Sequence, residues 1–280
     1  MRPLELGLVT LLLATAAAGC GPRVLFQRPD PVLGSVWVIE EHGVRTLRFG
    51  GPRGDEQSAI DPRRPEHEPY DYLRAALVAL AYPTSPRRLL MIGLGGGSYL
   101  RHAHQLAPAL RLEAVEISAA VVEAARRHFL LVPEVEVHGA DGRRFVEGAA
   151  PGYDLVFLDA YGAVDYPRHL GTVEFFAAVR GLVAPGGVAV ANLVADADQL
   201  RDDLVATFRS VFPAAHCLAS PSGNTLLIGV LGALPDEATL GRRLAALDRA
   251  SAGRYGLAAA FVRRCLDEGR AGRRLRDPPP

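Results

Sequence analysis

The chain has 280 residues, 49% of them hydrophobic and 22% charged, and its 31 basic side chains balance 31 acidic ones. Zero formal charge excludes a polyanion binder that works by bulk charge, so no nucleic-acid partner is expected. The composition likewise excludes disorder, collagen-like repeats and a disulfide-stapled mini-protein, and the absence of lysine removes Schiff-base and P-loop chemistry.

From the N-terminus, residues 6–18 form an apolar run shorter than the ~20 residues a membrane-spanning helix wants. Arg2 before it and Ala17, Ala18, Gly19 and Cys20 after it follow the pattern of a secretory signal. Its end resembles the lipobox of bacterial lipoproteins. That resemblance implies loss of residues 1–19, acylation of Cys20 and a membrane anchor in the cell envelope; a downstream start codon would instead leave a cytoplasmic protein. Residues 20–34, with Pro22, Pro29 and Pro31, read as a linker. Alternation over 35–49 around His42 and Gly43 predicts a β-hairpin. The stretch to residue 69, rich in Gly, Pro and charge, predicts a loop, so 35–69 forms a small N-terminal region.

Helical spacing over 70–81, closed by Pro83 and Pro86, opens the main domain at 70–232. Apolar strands at 89–92, 112–117, 135–138, 154–158 and 187–192 then alternate with helices at 98–106, 119–129 and 196–211. Two last strands fall near 216–218 and 225–230, and a helical tail occupies 233–280. This rhythm predicts an α/β fold with a doubly wound, mostly parallel sheet. Cys217 and Cys265 form no metal-binding spacing and lie in apolar surroundings, so they read as small core residues.

In such a sheet the ligand lies at the carboxyl ends of the strands. Gly93, Gly95 and Gly97 end the first strand and open a helix, where free N–H groups and bare backbone can approach a ligand. Glu116, about twenty residues on and at the end of the second strand, suits the hydroxyls of a ribose. Asp141, followed by Gly142, ends the third strand and can either accept from an adenine amine or cap the next helix. Asp159 ends an apolar strand, which puts a carboxylate on the cleft floor and suits a general base. His169 lies in a loop near the same cleft. His102 and His104, two apart on a helix, make a poor metal pair.

These residues resemble the spermidine synthases, or polyamine aminopropyltransferases, in a bacterial branch within the Rossmann-like class I methyltransferase fold. The resemblance rests on Gln57-Ser58, Tyr70-Asp71-Tyr72, the 92–98 glycine loop, Val115-Glu116-Ile117, Asp141-Gly142, the 158–161 Leu-Asp-Ala-Tyr, the 169–176 segment and Asn192-Leu193. It implies decarboxylated S-adenosylmethionine as co-substrate, a small polyamine acceptor, no tightly bound cofactor and no metal. Glu116 would hold the ribose, Asp141 the adenine edge and the glycine loop the thioether side. Gln57, Tyr70, Tyr161 and His169 would line the substrate, and Asp159 would take the proton of the acceptor ammonium. The family carries aspartates where this chain has Gly96 and Gly162, and Ile-Asp where it has Ile117-Ser118. Two further readings stay open: an S-adenosylmethionine-dependent methyltransferase, and a non-catalytic nucleoside-binding envelope protein. A homodimer is the assembly considered.

Overall fold

The computed structural model describes residues 21–67, 70–162, 166–194, 198–261, 265 and 272–278. The signal-like segment and Cys20 lie outside the described residues. The N-terminal region is an antiparallel sheet of four strands in sequential order: β1 (Arg23–Asp30), β2 (Gly34–Glu41), β3 (Val44–Phe49) and β4 (Glu56–Ile60). The expected hairpin is β2–β3. Its turn residues His42 and Gly43 have φ of 51° and 83°, the left-handed backbone that a two-residue hairpin turn requires.

Two segments differ from expectation. Residues 23–30 are not a linker but β1, an edge strand, where the missing N–H of Pro29 is tolerated. The expected loop contains β4, five residues paired with β3 across a register shift. Its run is too short to show a period, and only the burial of Ser58, Ala59 and Ile60 makes it a strand.

The main domain begins with α1 (Asp71–Leu77), continued by a 3₁₀ turn over Val78–Ala81. Then come β5 (Arg88–Ile92), α2 (Ser98–Leu106), β6 (Arg111–Glu116), α3 (Ala119–His128), β7 (Glu136–Gly139), α4 (Gly142–Gly148) and β8 (Tyr153–Leu158). After them follow α5 (Val173–Leu182), β9 (Val183–Leu193), α6 (Asp198–Val211), β10 (Ala215–Ala219), β11 (Thr225–Val230), α7 (Glu237–Ala250) and α8 (Leu257–Phe261). Helix α5 went unpredicted; it lies in the stretch read as loop after Asp159, and Thr172 caps it by accepting the Phe175 N–H.

The seven strands run in the order β10-β11-β9-β8-β5-β6-β7. Strands β5 to β9 are mutually parallel, and β11 is antiparallel to β9 and β10. The chain winds outward in both directions from β5, so the crevice beyond the β5 and β8 ends is where a ligand is expected. One face of the sheet is covered by Leu77, Tyr99, Phe157 and Leu226, the other by Phe175, Phe176, Phe208 and Phe212. The N-terminal sheet packs Val36, Val38, Leu47 and Ile60 onto Val121, Ala124 and Phe129 around α3, which fixes the small sheet against the end of β6. Among the described residues no helix is long and apolar enough to cross a membrane.

Cys217 and Cys265 are not free core thiols. They form a disulfide with Cα atoms 5.4 Å apart, and the Cys265 N–H donates to the Cys217 carbonyl. A pair separated by 48 residues carries no local signal in the sequence. Closing a loop of that length stabilises by about 2–4 kcal/mol, chiefly through the unfolded chain. Cys217→Ser is therefore expected to lower the urea midpoint and, because the uncrosslinked unfolded chain exposes more surface, to steepen the slope, and reductant should shift the wild type in the same way. Equal midpoints for wild type and variant would refute a structural disulfide.

Candidate active site

The glycine loop after β5 places backbone where side chains cannot go. Gly93 has φ of 89°, and a Cβ there would run into the Asp159 carbonyl, so this glycine lets the β5 end lie against the β8 end. The N–H of Leu94 donates to Glu116 Oε2 at 3.0 Å, and that of Gly96 to Ser58 Oγ at 2.8 Å. Glu116 Oε1 accepts the Ser118 N–H at 2.9 Å. Burial pushes the Glu116 carboxyl up, against the pull of these backbone donors. Glu116 thus clamps the loop, its carboxylate held by backbone N–H groups of Leu94, Ser118 and Ile117.

Two residues from the N-terminal sheet complete this corner. Ser58 comes from β4, and Asp30 ends β1, accepting the Ser118 hydroxyl at 2.6 Å and the N–H groups of Val32 and Leu33. Burial would raise the Asp30 carboxyl, but these hydrogen bonds outweigh it and hold it below the usual range. From sequence Ser58 enters only as part of the Gln57-Ser58 pair, with no role, and Asp30 not at all, because both sit in segments without a readable period.

Asp159 follows β8 and is joined from two directions. Its Oδ2 accepts the Tyr72 hydroxyl at 3.1 Å and its Oδ1 the Asn192 amide at 2.8 Å. Asn192, near the end of β9, is oriented in turn by the Asn224 amide at 3.0 Å. Burial pushes the Asp159 carboxyl up, and the two hydrogen bonds only partly offset it. Tyr161 donates to the Asn192 carbonyl and accepts the Val194 N–H. Tyr99, in the first turn of α2, is fully buried with its ring 4.3 Å from that of Phe157, and its hydroxyl has no hydrogen-bond partner among the described residues. Burial and the Asp159 charge raise both phenols.

Of the two roles the sequence offered, the structure has Asp141 as the cap of α4, accepting the Arg144 N–H at 3.0 Å, while its other oxygen lies 3.1 Å from His169 Nε2. Burial would raise its carboxyl, but the Arg144 N–H and His169 outweigh it and hold it low. Gly142 lets α4 close on β5, since a Cβ there would lie 2.6 Å from Ile92 Cγ2. Gln57 and Tyr70 stand on the β4–α1 side. Gln57 donates to the Asp55 carbonyl, and Tyr70 donates to Glu56 with its ring 6.2 Å from that of Tyr72. The structure therefore brings Asp159 and Tyr161 together with Tyr72 and Asn192, which the sequence motifs contain without assigning them a role, pairs Asp141 with His169, and leaves Gln57 and Tyr70 flanking.

Elsewhere, Glu113, Glu136 and His138 have metal-ligand proximity. Arg88, Arg111 and Tyr153 already occupy the Glu113 carboxylate, which makes the cluster a charge network.

Gly96 does not open a vacant carboxylate position. A Cβ on it would lie 2.8 Å from Phe129 Cδ1 and 3.0 Å from Ser58 Cβ, inside the packed seam between loop, β4 and α3. Gly96→Asp is expected to destabilise by about 1–3 kcal/mol through overpacking, measured by denaturant unfolding. Asp159 gives a second expectation. With its folded pKa raised, its favourable contribution is complete below the unfolded value of 3.8 and is lost as pH rises through the folded value. Asp159→Asn should therefore raise the thermal midpoint at pH 7 by roughly 2–4 °C, with the gain shrinking on acidification. A midpoint lowered at pH 7 would contradict it.

No family model matches the chain. A polyamine aminopropyltransferase of Vibrio vulnificus is 29% identical over 256 residues, covering 88% of this chain and 85% of that protein. A probable spermidine synthase from Corynebacterium glutamicum shares the fold, with a TM-score of 0.67 and 22% identity over 79% of this chain and 86% of that one. Human methyltransferase-like protein 13, solved in complex with SAH, aligns with a TM-score of 0.60 and 26% identity over 65% of this chain and 92% of its own. Similarity to a polyamine aminopropyltransferase along most of the chain, joined to this shared architecture, supports a spermidine synthase-like protein on a methyltransferase-like fold.

Proposed function

We propose that the chain transfers an aminopropyl group from decarboxylated S-adenosylmethionine to a small amine, with Asp159 as general base. The observation that carries this reading is the half-buried Asp159 carboxylate, aimed by Tyr72 and Asn192 beside the glycine loop and raised in pKa by desolvation. A carboxylate raised toward neutrality can take a proton from an ammonium as the amine is positioned. The freed nitrogen lone pair attacks the methylene beside the sulfonium. The C–N bond forms as the C–S bond breaks, its electron pair returns to sulfur, and methylthioadenosine leaves. Sulfonium is already a good leaving group, so the site supplies a deprotonated nucleophile and in-line geometry. In this reading Glu116 holds the ribose, Asp141 and His169 the adenine edge, and Gly93, Gly95 and Gly97 the thioether side. Gln57, Tyr70 and Tyr161 line the acceptor.

The test is methylthioadenosine release from the decarboxylated donor with a panel of diamines and monoamines. Asp159→Asn should lower the rate by ~10²–10⁴ and leave nucleoside affinity nearly unchanged. The acid limb of kcat/KM should lie above the ordinary aspartate value of 3.8, since the base must be ionised. Glu116→Ala should weaken nucleoside binding by ~1–3 kcal/mol. Absence of turnover with every amine would sink the reading.

A second reading, methyl transfer from S-adenosylmethionine, is favoured by the filled space beside Gly96, which leaves no room there for an ammonium-binding carboxylate. The SAH-bound methyltransferase neighbour supports it too. Methylated product in the same assay would select it.

We also infer an envelope location. The Cys217–Cys265 disulfide supports it, because such bonds persist in oxidising compartments, and Cys20 is the remaining cysteine. Mass spectrometry of the mature chain should find acylated Cys20 at its N-terminus; a soluble chain that retains residues 1–19 would refute it.

A further inference from the structure

The Arg-rich C-terminal residues form a strap across three helices. Its alternate N–H groups are all bound: Arg273 to Asp203 Oδ1 at 2.7 Å, Leu275 to Thr207 Oγ1 at 2.9 Å and Asp277 to Glu174 Oε2 at 3.0 Å. In return the Leu275 carbonyl accepts the Val173 N–H at 2.9 Å, capping the first turn of α5, while the Leu275 side chain packs on the core beneath. The strap thus runs along α6, crosses the start of α5 and ends at α4.

At that end Asp277 meets Arg143 through both guanidinium nitrogens, one contact being 2.9 Å. The same Arg143 Nη1 donates to the His169 carbonyl at 3.1 Å and to Thr172 Oγ1 at 3.2 Å. Arg143 lies two residues after Asp141, whose carboxylate contacts the His169 ring. One planar fork therefore joins the strap to the His169 backbone, and the same residue sits in the first turn of α4, two positions from Asp141. A bidentate guanidinium–carboxylate contact fixes direction as well as distance, and few other groups can replace it.

We propose that Arg143 and Asp277 are positioning residues for nucleobase recognition, the strap holding Asp141 and His169 in the arrangement that reads the amino edge of an adenine. The proposal rests on the nucleoside reading above. Asp277 touches no reacting atom and acts through Arg143.

Calorimetry on the full chain tests it with methylthioadenosine and methylthioinosine, whose base carries an oxygen where adenine carries the amine. The wild type should prefer the adenine form. Asp277→Asn should weaken methylthioadenosine binding about tenfold and narrow the adenine preference, whereas Asp277→Glu should restore both. Arg143→Lys keeps the charge but loses the fork, and should narrow the preference in the same way. A strap that only stabilises the fold would lower the melting midpoint and weaken both nucleosides equally. An unchanged adenine preference in Asp277→Asn and Arg143→Lys, with wild-type binding intact, overturns the positioning role alone. Failure of the wild type to bind either nucleoside overturns this proposal together with the nucleoside reading.

Discussion

The arrangement of the site depends on the backbone N–H groups of the glycine loop. The loop turns sharply between β5 and α2, and the Leu94 and Gly96 donors are taken by the Glu116 carboxylate and the Ser58 hydroxyl. A buried donor left without a partner costs about 1–3 kcal/mol, so loop shape, the end of β6 and the last residues of β4 stand or fall together. The small antiparallel sheet is thereby part of the site: its apolar face packs on α3, and its two edge strands, β4 and β1, supply Ser58 and Asp30.

The same constraint separates the carboxylates along the sheet edge into two kinds. Glu116 is buried and Asp159 half-buried, both with uncharged donors around them, so water is lost without a cation in exchange and both are raised. Asp141 and Asp30 accept hydrogen bonds strong enough to outweigh their burial, and both are lowered. The two raised carboxylates differ in their donors: backbone N–H groups of the loop corner hold Glu116, and the Tyr72 and Asn192 side chains hold Asp159.

Contacts distant in sequence hold the C-terminal region. The Cys217–Cys265 disulfide ties the edge strand β10 to the chain beyond α8, and the strap at 272–278 rejoins α6, α5 and α4. The helix starts at α4 and α5 are thus fixed by side chains far along the chain, in addition to their own caps Asp141 and Thr172.

The sequence by itself determined the alternation of strands and helices, the doubly wound sheet, the glycine loop and the strand-end positions of Glu116, Asp141 and Asp159. Each of these is written locally, as apolar period, turn chemistry or an acidic residue that ends an apolar run. Tertiary structure decided what those carboxylates touch. Tyr72 and Asn192 reach Asp159 from α1 and β9, and Ser58 and Asp30 reach the loop corner from strands whose short, irregular runs carry no period. The pairing of Cys217 with Cys265, the filled space at Gly96 and the strap at Arg143 likewise arise from packing between remote segments. Composition and spacing record what each residue is. Burial and partner choice are properties of the assembled chain, because desolvation and hydrogen bonding depend on neighbours that only folding brings within reach.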